Sequence, residues 1–275
     1  MSVKQTSLRR AGPTGHEDTM SPLADMVRRR DPDRYFTALF APESARPALL
    51  TLYAFNIELA RAQDQASTAA LALIRLQWWR EIVEGADRRH EVATPLQALL
   101  TEGRLPTAPL QNMIAARESD VEEPPATLAD FTARLLQGPG ALAMAAGALL
   151  GATEAEAQRL IQLGAAYGAA GTLRNIAALG ARQRCVLPLD VLARADLVPE
   201  AAFTIPDAVR AAVAPSIAAA ASQWLGPPRR LRRALIAAAL PGVLARRDLA
   251  RAAPAGQRGL SDRLAVTWAA ARSVV

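Results

Sequence analysis

The sequence predicts an all-α fold, and three observations predict it. Alanine supplies 62 of the 275 residues, and alanine is the strongest helix former. Residues that favour strands are sparse, with only three Tyr, five Phe and four Trp. Apolar positions recur at three- and four-residue steps between Pro, Gly and Ser/Thr/Asp signals that start and stop helices. Hydrophobic residues make up 51% of the chain, enough to fill a sizeable core. No repeat of fixed period and no clean boundary interrupts it, so one helical domain is expected over residues 21–275.

Each element follows from local signals. Residues 1–20 contain Gly12-Pro13 and Gly15 without periodicity, and read as a disordered tail. Ser21-Pro22 opens a short helix through Arg30. Asp31-Pro32-Asp33 starts the next, carrying Tyr35, Phe36, Leu39 and Phe40. Pro42 and Glu43-Ser44 introduce a long helix from Arg46 to Asp64, the stretch around which the chain is expected to be organised. Thr68 to Glu84 is helical, with Leu73, Leu76, Ile82 and Val83 as core. Trp78 and Trp79 are adjacent and cannot share a face. One is expected in the core; the other lines a cavity or packs on the preceding helix. Gly85 to Glu91 is a charged turn.

Thr94-Pro95 starts a helix to Leu100, and Gly103 to Pro109 is a loop. Leu110 to Ser119 is a helix, followed by a connector at Glu122-Glu123-Pro124-Pro125. Thr127 caps a helix holding Leu128, Phe131, Leu135 and Leu136, which Gly138-Pro139-Gly140 interrupts or kinks. The small residues up to Gly151 permit close helix packing. Thr153-Glu154-Ala155-Glu156 caps a helix that runs through Tyr167, Gly171, Arg174 and Asn175 to Gly180. A short helix follows Leu187-Pro188, and Val198 to Pro206 is a loop. Asp207 caps a helix to Leu225, which Gly226-Pro227-Pro228 ends. Arg229 starts another, kinked at Pro241-Gly242. Pro254 to Gly259 turns the chain into a last amphipathic segment with Leu264, Val266 and Trp268.

Charge and composition narrow the function classes. The net charge is +6, and Lys4 is the only lysine, so arginine supplies the basicity. A basic surface suits anionic lipid, phosphate groups or nucleic acid. No nucleic-acid motif accompanies it, so nucleic acid is not an expected partner. Cys185 stands alone, which rules out an intramolecular disulfide and a thiolate metal site and fits a reducing compartment. His16 and His90 are the only histidines, which gives little support to a histidine zinc site or a Ser-His triad. Met1 to Met20 has no apolar run of the secretory kind. The apolar runs near 140–151 and 234–245 fall short of the ~20 residues that span a bilayer.

On the long helix, Tyr53, Ile57, Ala60 and Asp64 fall on one face. Asn56 and Gln63 border it, and polar groups beside an inward stripe point to a wet cavity; a hydrogen-bonded core Asn is the equal alternative. Tyr53-Ala54-Phe55 followed by a helical acidic position is accompanied by Arg34-Tyr35-Phe36, by Pro42, Arg46 and Leu49, and by Arg75-Leu76-Gln77-Trp78-Trp79-Arg80. Pro95-Leu96-Gln97-Ala98-Leu99 and Val186-Leu187-Pro188-Leu189-Asp190 follow in order. With these landmarks the chain resembles the squalene/phytoene synthase family, from about residue 33 to about residue 250. The resemblance implies an isoprenoid-synthase-type helical bundle around a central cavity. Two aspartate-rich helices would hold Mg²⁺ on the diphosphates of two prenyl substrates.

The motifs depart from that pattern. Aligned from Tyr53, the three acidic places of the first motif become Ala60, Arg61 and Asp64. Those of the second become Leu179 and Gln183, and no carboxylate occurs from Thr172 to Val186. Hard carboxylate oxygens are what Mg²⁺ requires, so no cofactor is expected. Ala-Phe-Asn-x-Glu-Leu-Ala, Arg-Leu-Gln-Trp-Trp and the shortened basic second motif resemble the branch that contains mitochondrial complex I assembly factor 6. That resemblance implies a retained fold without its magnesium chemistry.

The first expectation is therefore a non-catalytic protein that binds an isoprenoid, a phospholipid or a respiratory-complex client. Its cavity residues would be Arg46, Tyr53, Asn56, Asp64, Trp79, Tyr167, Arg174 and Asn175, and Arg174, Arg182 and Arg184 would grip a phosphate or a protein acid. The first alternative is an active Mg-dependent prenyltransferase, with Asp64 as a metal ligand beside Glu58 and Glu81 or Glu84. The second is peripheral membrane contact through Arg229 to Arg247, with its apolar middle at Leu235-Ile236-Ala237-Ala238. The expected setting is a bacterial cytoplasm, with contact at the inner membrane as a variant and the mitochondrial matrix less favoured.

Overall fold

The computed structural model describes residues 21–251 and 258–275. The expected tail at residues 1–20, and residues 252–257 of the expected last turn, lie outside the described residues.

The described chain is all-helical, apart from one isolated bridge between Arg230 and Val274. Its helices are α1 (Pro22–Arg30), α2 (Pro32–Ala38), α3 (Arg46–Asp64), α4 (Ala69–Val83), α5 (Ala93–Thr101), α6 (Thr107–Glu122), α7 (Leu128–Leu135), α8 (Ala141–Leu149), α9 (Glu154–Gly180), α10 (Leu189–Ala193), α11 (Ala201–Thr204), α12 (Pro206–Leu225), α13 (Ile236–Ala239), α14 (Pro241–Leu249) and α15 (Leu260–Arg272). Side-chain caps set many of the starts. Ser21 accepts from the Ala24 amide, Asp31 from Arg34 and Thr68 from Leu71. Thr127 and Thr153 form complete capping boxes with Asp130 and Glu156.

Several boundaries differ from the sequence reading. α6 starts at Thr107 rather than Leu110, because Pro109 is tolerated in a first turn, where no amide is needed. Ile205, not Asp207, precedes α12; Pro206 takes the first position and Asp207 lies in the first turn. α11 forms inside the expected loop. No helix starts at Arg229. Instead the Arg229 amide donates to the Val275 carbonyl (2.8 Å), and the Leu231 amide donates to that of Ser273 (2.9 Å). Pro227-Pro228 holds the chain extended there, and pairing with a distant segment satisfies the backbone. The apolar middle of 229–247 is core, since Leu235, Ile236, Ala237 and Ala238 are all buried. That segment therefore offers no apolar face to a membrane. Among the described residues, no helix is long and apolar enough to cross one.

α9 is the hub, in place of α3. It packs against α7, α8, α11, α12, α13 and α14. Small residues on α9 make this possible. A Cβ added at Gly164 would collide with the Pro139 carbonyl oxygen and lie 2.6 Å from the Ala143 Cβ. The facing strip, Leu136–Gly140, is a π-turn that joins α7 to α8. Pro139 cannot donate within a regular helix and its ring would strike the carbonyl four residues back, so the wider turn accommodates it. Gly171 is different: no atom lies within 4 Å of the place its Cβ would take.

Candidate functional site

A cavity of about 400 Å³ lies between the C-terminal half of α3, α6, α7, the π-turn, α9 and the segment 182–186. The α3 face contributes Asn56, Ala60 and Asp64, one turn apart each. The α9 face contributes Tyr167, Gly168, Gly171, Thr172, Arg174, Asn175 and Leu179. Asn56 thus lines open space and is not a core asparagine. An outer recess of about 730 Å³ adjoins the cavity, and both are lined by Asp64, Asp120, Arg182 and Arg184.

Other candidates lie elsewhere. Arg46 is not among the lining residues; its Nε donates to the Ala41 carbonyl (3.1 Å). Tyr53 is 2% exposed, and burial pushes its hydroxyl up to about 12. Trp79 is buried edge-on against Phe55, with centroids 5.4 Å apart. Trp79 is core because α4 packs on the Phe55 face of α3, and Tyr53 is buried on another side of α3, close to Arg34 and Asp31, where α1 and α2 pack. Arg61 turns back to pair with Glu58. Gln183 adopts φ 54° and lines the outer recess.

Arginine dominates the cavity wall. Arg30, Arg34, Arg117, Arg134, Arg174, Arg182 and Arg184 face it, against only Asp31, Asp64 and Asp120. Asp64 is held by Arg182 (2.8 Å) and Arg184 (3.1 Å). Arg184 also donates to the Gln63 side chain, and Gln63 Nε2 donates to the Asp120 carbonyl (2.9 Å). Arg117 and Arg134 stand 3.8 and 3.7 Å from the Asp120 carboxylate. Burial lowers the Arg184 pKa, with Arg117 and Arg182 adding to it against Asp64 and Asp120. Burial likewise pushes the Asp120 carboxyl up, against the pull of its arginines. The sequence reading missed Arg30, Asp31, Arg34, Arg117, Asp120 and Arg134. The one local signal was Arg134, set between Phe131 and Leu135 on an apolar helix.

The opposite wall is tied to a buried ionic network. Arg34 pairs with Asp31 (2.7 Å) and lies over the Tyr167 ring, 4.9 Å from its centroid. The Tyr167 hydroxyl donates to Asp33 Oδ2 (2.8 Å). Arg174 bridges Asp33 (3.4 Å) and Asp248 (3.3 Å), and Arg258 binds the same two carboxylates at 2.9 and 2.6 Å. Burial alone would raise the Asp33 pKa, but Arg258, Tyr167 and Arg174 outweigh it and hold the carboxyl below its ordinary value. Arg174 therefore faces the cavity with its charge already committed.

A magnesium–diphosphate centre does not fit these residues. Ala60 and Leu179 offer no oxygen, and Asp64 is already neutralised by two guanidinium groups. Glu58, Glu81 and Glu84 do not line the cavity, so they rebuild nothing around Asp64. Among the described residues, no three His, Cys, Asp or Glu side chains gather as a metal site.

Known proteins share the fold and the sequence pattern. A dehydrosqualene synthase solved with a ligand superposes with a TM-score of 0.66, at 15% identity, over 90% of this chain and 94% of its own. The squalene synthase HpnC from Alicyclobacillus acidocaldarius superposes with a TM-score of 0.62, at 17% identity, over 91% and 92%. At that identity the likeness speaks for the fold alone. In sequence, the chain is 25% identical over 173 residues to NADH dehydrogenase (ubiquinone) complex I, assembly factor 6 of Homo sapiens, covering 61% of this chain and 52% of that protein. The Rattus norvegicus protein of the same name is 32% identical over 84 residues, 30% of this chain and 25% of its own. The chain spans about half the length of the human relative it matches. Residues 27–270 match the squalene/phytoene synthase family as a whole. An all-helical bundle with its cavity between α3 and α9, matched over nearly its full length, belongs to the squalene/phytoene synthase family.

Proposed function

We propose that this chain is a non-condensing member of the family, whose cavity binds an isoprenoid, a phospholipid or an acidic part of a client protein. One observation carries the reading: Arg182 and Arg184 occupy Asp64, the lone acidic survivor of the first motif. Head-to-head condensation needs the charge of a leaving diphosphate neutralised, and the loss of a metal that does so removes several kcal/mol of transition-state stabilisation. Similarity to complex I assembly factor 6 supports a role in assembling a respiratory complex. The test is incubation of purified protein with farnesyl or geranylgeranyl diphosphate and Mg²⁺, read by mass spectrometry. No C30 or C40 product is expected. A product that disappears in Asp64→Ala would overturn the reading and make Asp64 a metal ligand in an active prenyltransferase.

Contact with a membrane surface is a second reading, favoured by α15. Leu260, Leu264 and Trp268 repeat at four-residue steps and are 72%, 59% and 58% exposed. Arg272 lies over the Trp268 ring, and Arg263, Arg230 and Arg233 are exposed nearby in the chain or across the bridge to Val274. An apolar stripe flanked by cations suits an anionic lipid surface. Flotation with anionic vesicles is expected to recover the wild type and to lose most of it in Leu264→Ser/Trp268→Ser. Equal recovery of both would remove the reading.

A further inference from the structure

We propose that the arginine cluster at the cavity mouth is a metal-independent site for a dianionic phosphate group carried on a single apolar chain. This deepens the binding reading above and rests on it.

Charge supplies the first argument. Four arginines share two carboxylates: Arg182 and Arg184 on Asp64, Arg117 and Arg134 near Asp120. Within the cavity lining two positive charges are left over, where Arg184 and Arg134 are only 20% and 22% exposed; Glu122, Glu123 and Glu200 lie outside it, on the adjoining recess. A phosphate monoester carries about −1.5 to −2 at neutral pH and balances that surplus. A phosphodiester, with one charge, does not.

Geometry supplies the second. The four guanidinium groups come from α6, α7 and the segment after α9 and all line the cavity, with Arg134 Nη1 also donating to the Ser119 and Glu123 carbonyls. Planar donors converging from several elements suit a tetrahedral oxyanion. Arg184, by binding both Asp64 and Gln63 at the end of α3, stands as the cation between the ends of α3 and α9.

The space behind the cluster supplies the third. About 400 Å³ holds roughly a dozen waters at ~30 Å³ each, room for one apolar chain. Its lining includes the apolar side chains of Met113, Phe131, Leu135, Pro139 and Val186, alongside the polar side chains of Asn56 and Asn175. Gly171 opens onto it. A glycine within a helix is unfavourable relative to alanine, and no neighbouring atom requires this one. Gly171 thus sets the bore available to the chain of the ligand.

A phosphorylated isoprenoid and a single-chain phospholipid share this chemistry, so calorimetry in EDTA uses farnesyl phosphate and lysophosphatidic acid; the tighter of the two names the source. Farnesyl phosphate methyl ester, a diester, is expected to bind about tenfold more weakly than farnesyl phosphate, and Arg184→Gln to cost about tenfold or more. Gly171→Leu is expected to lose either chain-bearing ligand about tenfold while inorganic diphosphate changes by less than about threefold. Gly171→Ala, with its smaller side chain, serves as the folded intermediate step. Binding that requires Mg²⁺, equal affinity for the methyl ester, wild-type affinity in Gly171→Leu, or no binding of any phosphate probe by the folded protein would each overturn the proposal. The non-condensing reading fails separately, by the appearance of a condensation product.

Discussion

Asp33→Ala is expected to destabilise the protein by about 3–5 kcal/mol, read as a lower midpoint in urea unfolding. The Asp33 side chain is 8% exposed and accepts from Arg258 Nε and Nη2 and from the Tyr167 hydroxyl. Removing it leaves Arg258 and Arg174 with Asp248 alone, and leaves a buried phenol without its acceptor. The cost is that of uncompensated buried groups, which exceeds what the intact network contributes. Asp33→Asn is expected to lose less, because an amide oxygen can still accept from Tyr167.

The same network makes the fold sensitive to acid. Asp33 is held below its ordinary value. At Asp262, burial pushes the pKa up, but Arg251 and Arg247 prevail and bring it down to about 2. The folded carboxylates stay charged at a pH where the unfolded chain, with an aspartate near 3.8, takes up protons. Their stabilisation is therefore complete above about pH 5 and fades as pH falls through 4 towards 2. For Asp262 alone, 3% exposed, it amounts to about 2 kcal/mol. Unfolding midpoints that hold steady from pH 7 to pH 3 would contradict the network.

Two glycines on α9 are expected to respond in opposite directions. Gly164→Ala places a methyl group against the Pro139 carbonyl oxygen and the Ala143 Cβ, and neither can swing aside. The helix and the π-turn must part, at a cost of about 1–3 kcal/mol. Gly171→Ala meets nothing, and is expected to gain up to about 1 kcal/mol from helix propensity and a stiffer unfolded chain. Thermal unfolding of the two variants decides the point. A gain at Gly164, or a loss at Gly171, would show that the contacts around α9 differ from those described.

Much of the fold was legible because its signals are local. Ser21, Thr68, Thr127 and Thr153 announce helix starts by their own hydrogen-bonding chemistry, and they cap helices in the structure. The stretch after Pro228 was misread because its partner, Ser273 to Val275, lies over forty residues away and helical propensity carries no trace of it. The site divides in the same way. Asn56 and Asp64 follow from spacing along one helix, and Arg174 and Asn175 from the family resemblance; all four line the cavity. Tyr53 and Trp79 were expected at the cavity as well, but the packing of α1 and α2 near Tyr53 and of α4 against Phe55 makes them core. Arg117 and Asp120 are three residues apart on α6, a spacing that the sequence carries, but Arg134 meets Asp120 only through the packing of α7 beside α6, which no periodicity within either helix reveals.

The bond from Arg184 to the end of α3 has a bearing on residence time. A divalent ion can depart together with the anion it neutralises, so a site built on one is cleared and recharged with every cycle. A guanidinium group is tethered to its chain and stays behind. An anion held by such groups leaves only by breaking each contact in turn. Under the proposed metal-independent binding, its occupancy would follow its own concentration and the ionic strength rather than the supply of magnesium. An enclosure of that kind is suited to keeping a molecule rather than to processing a stream of them.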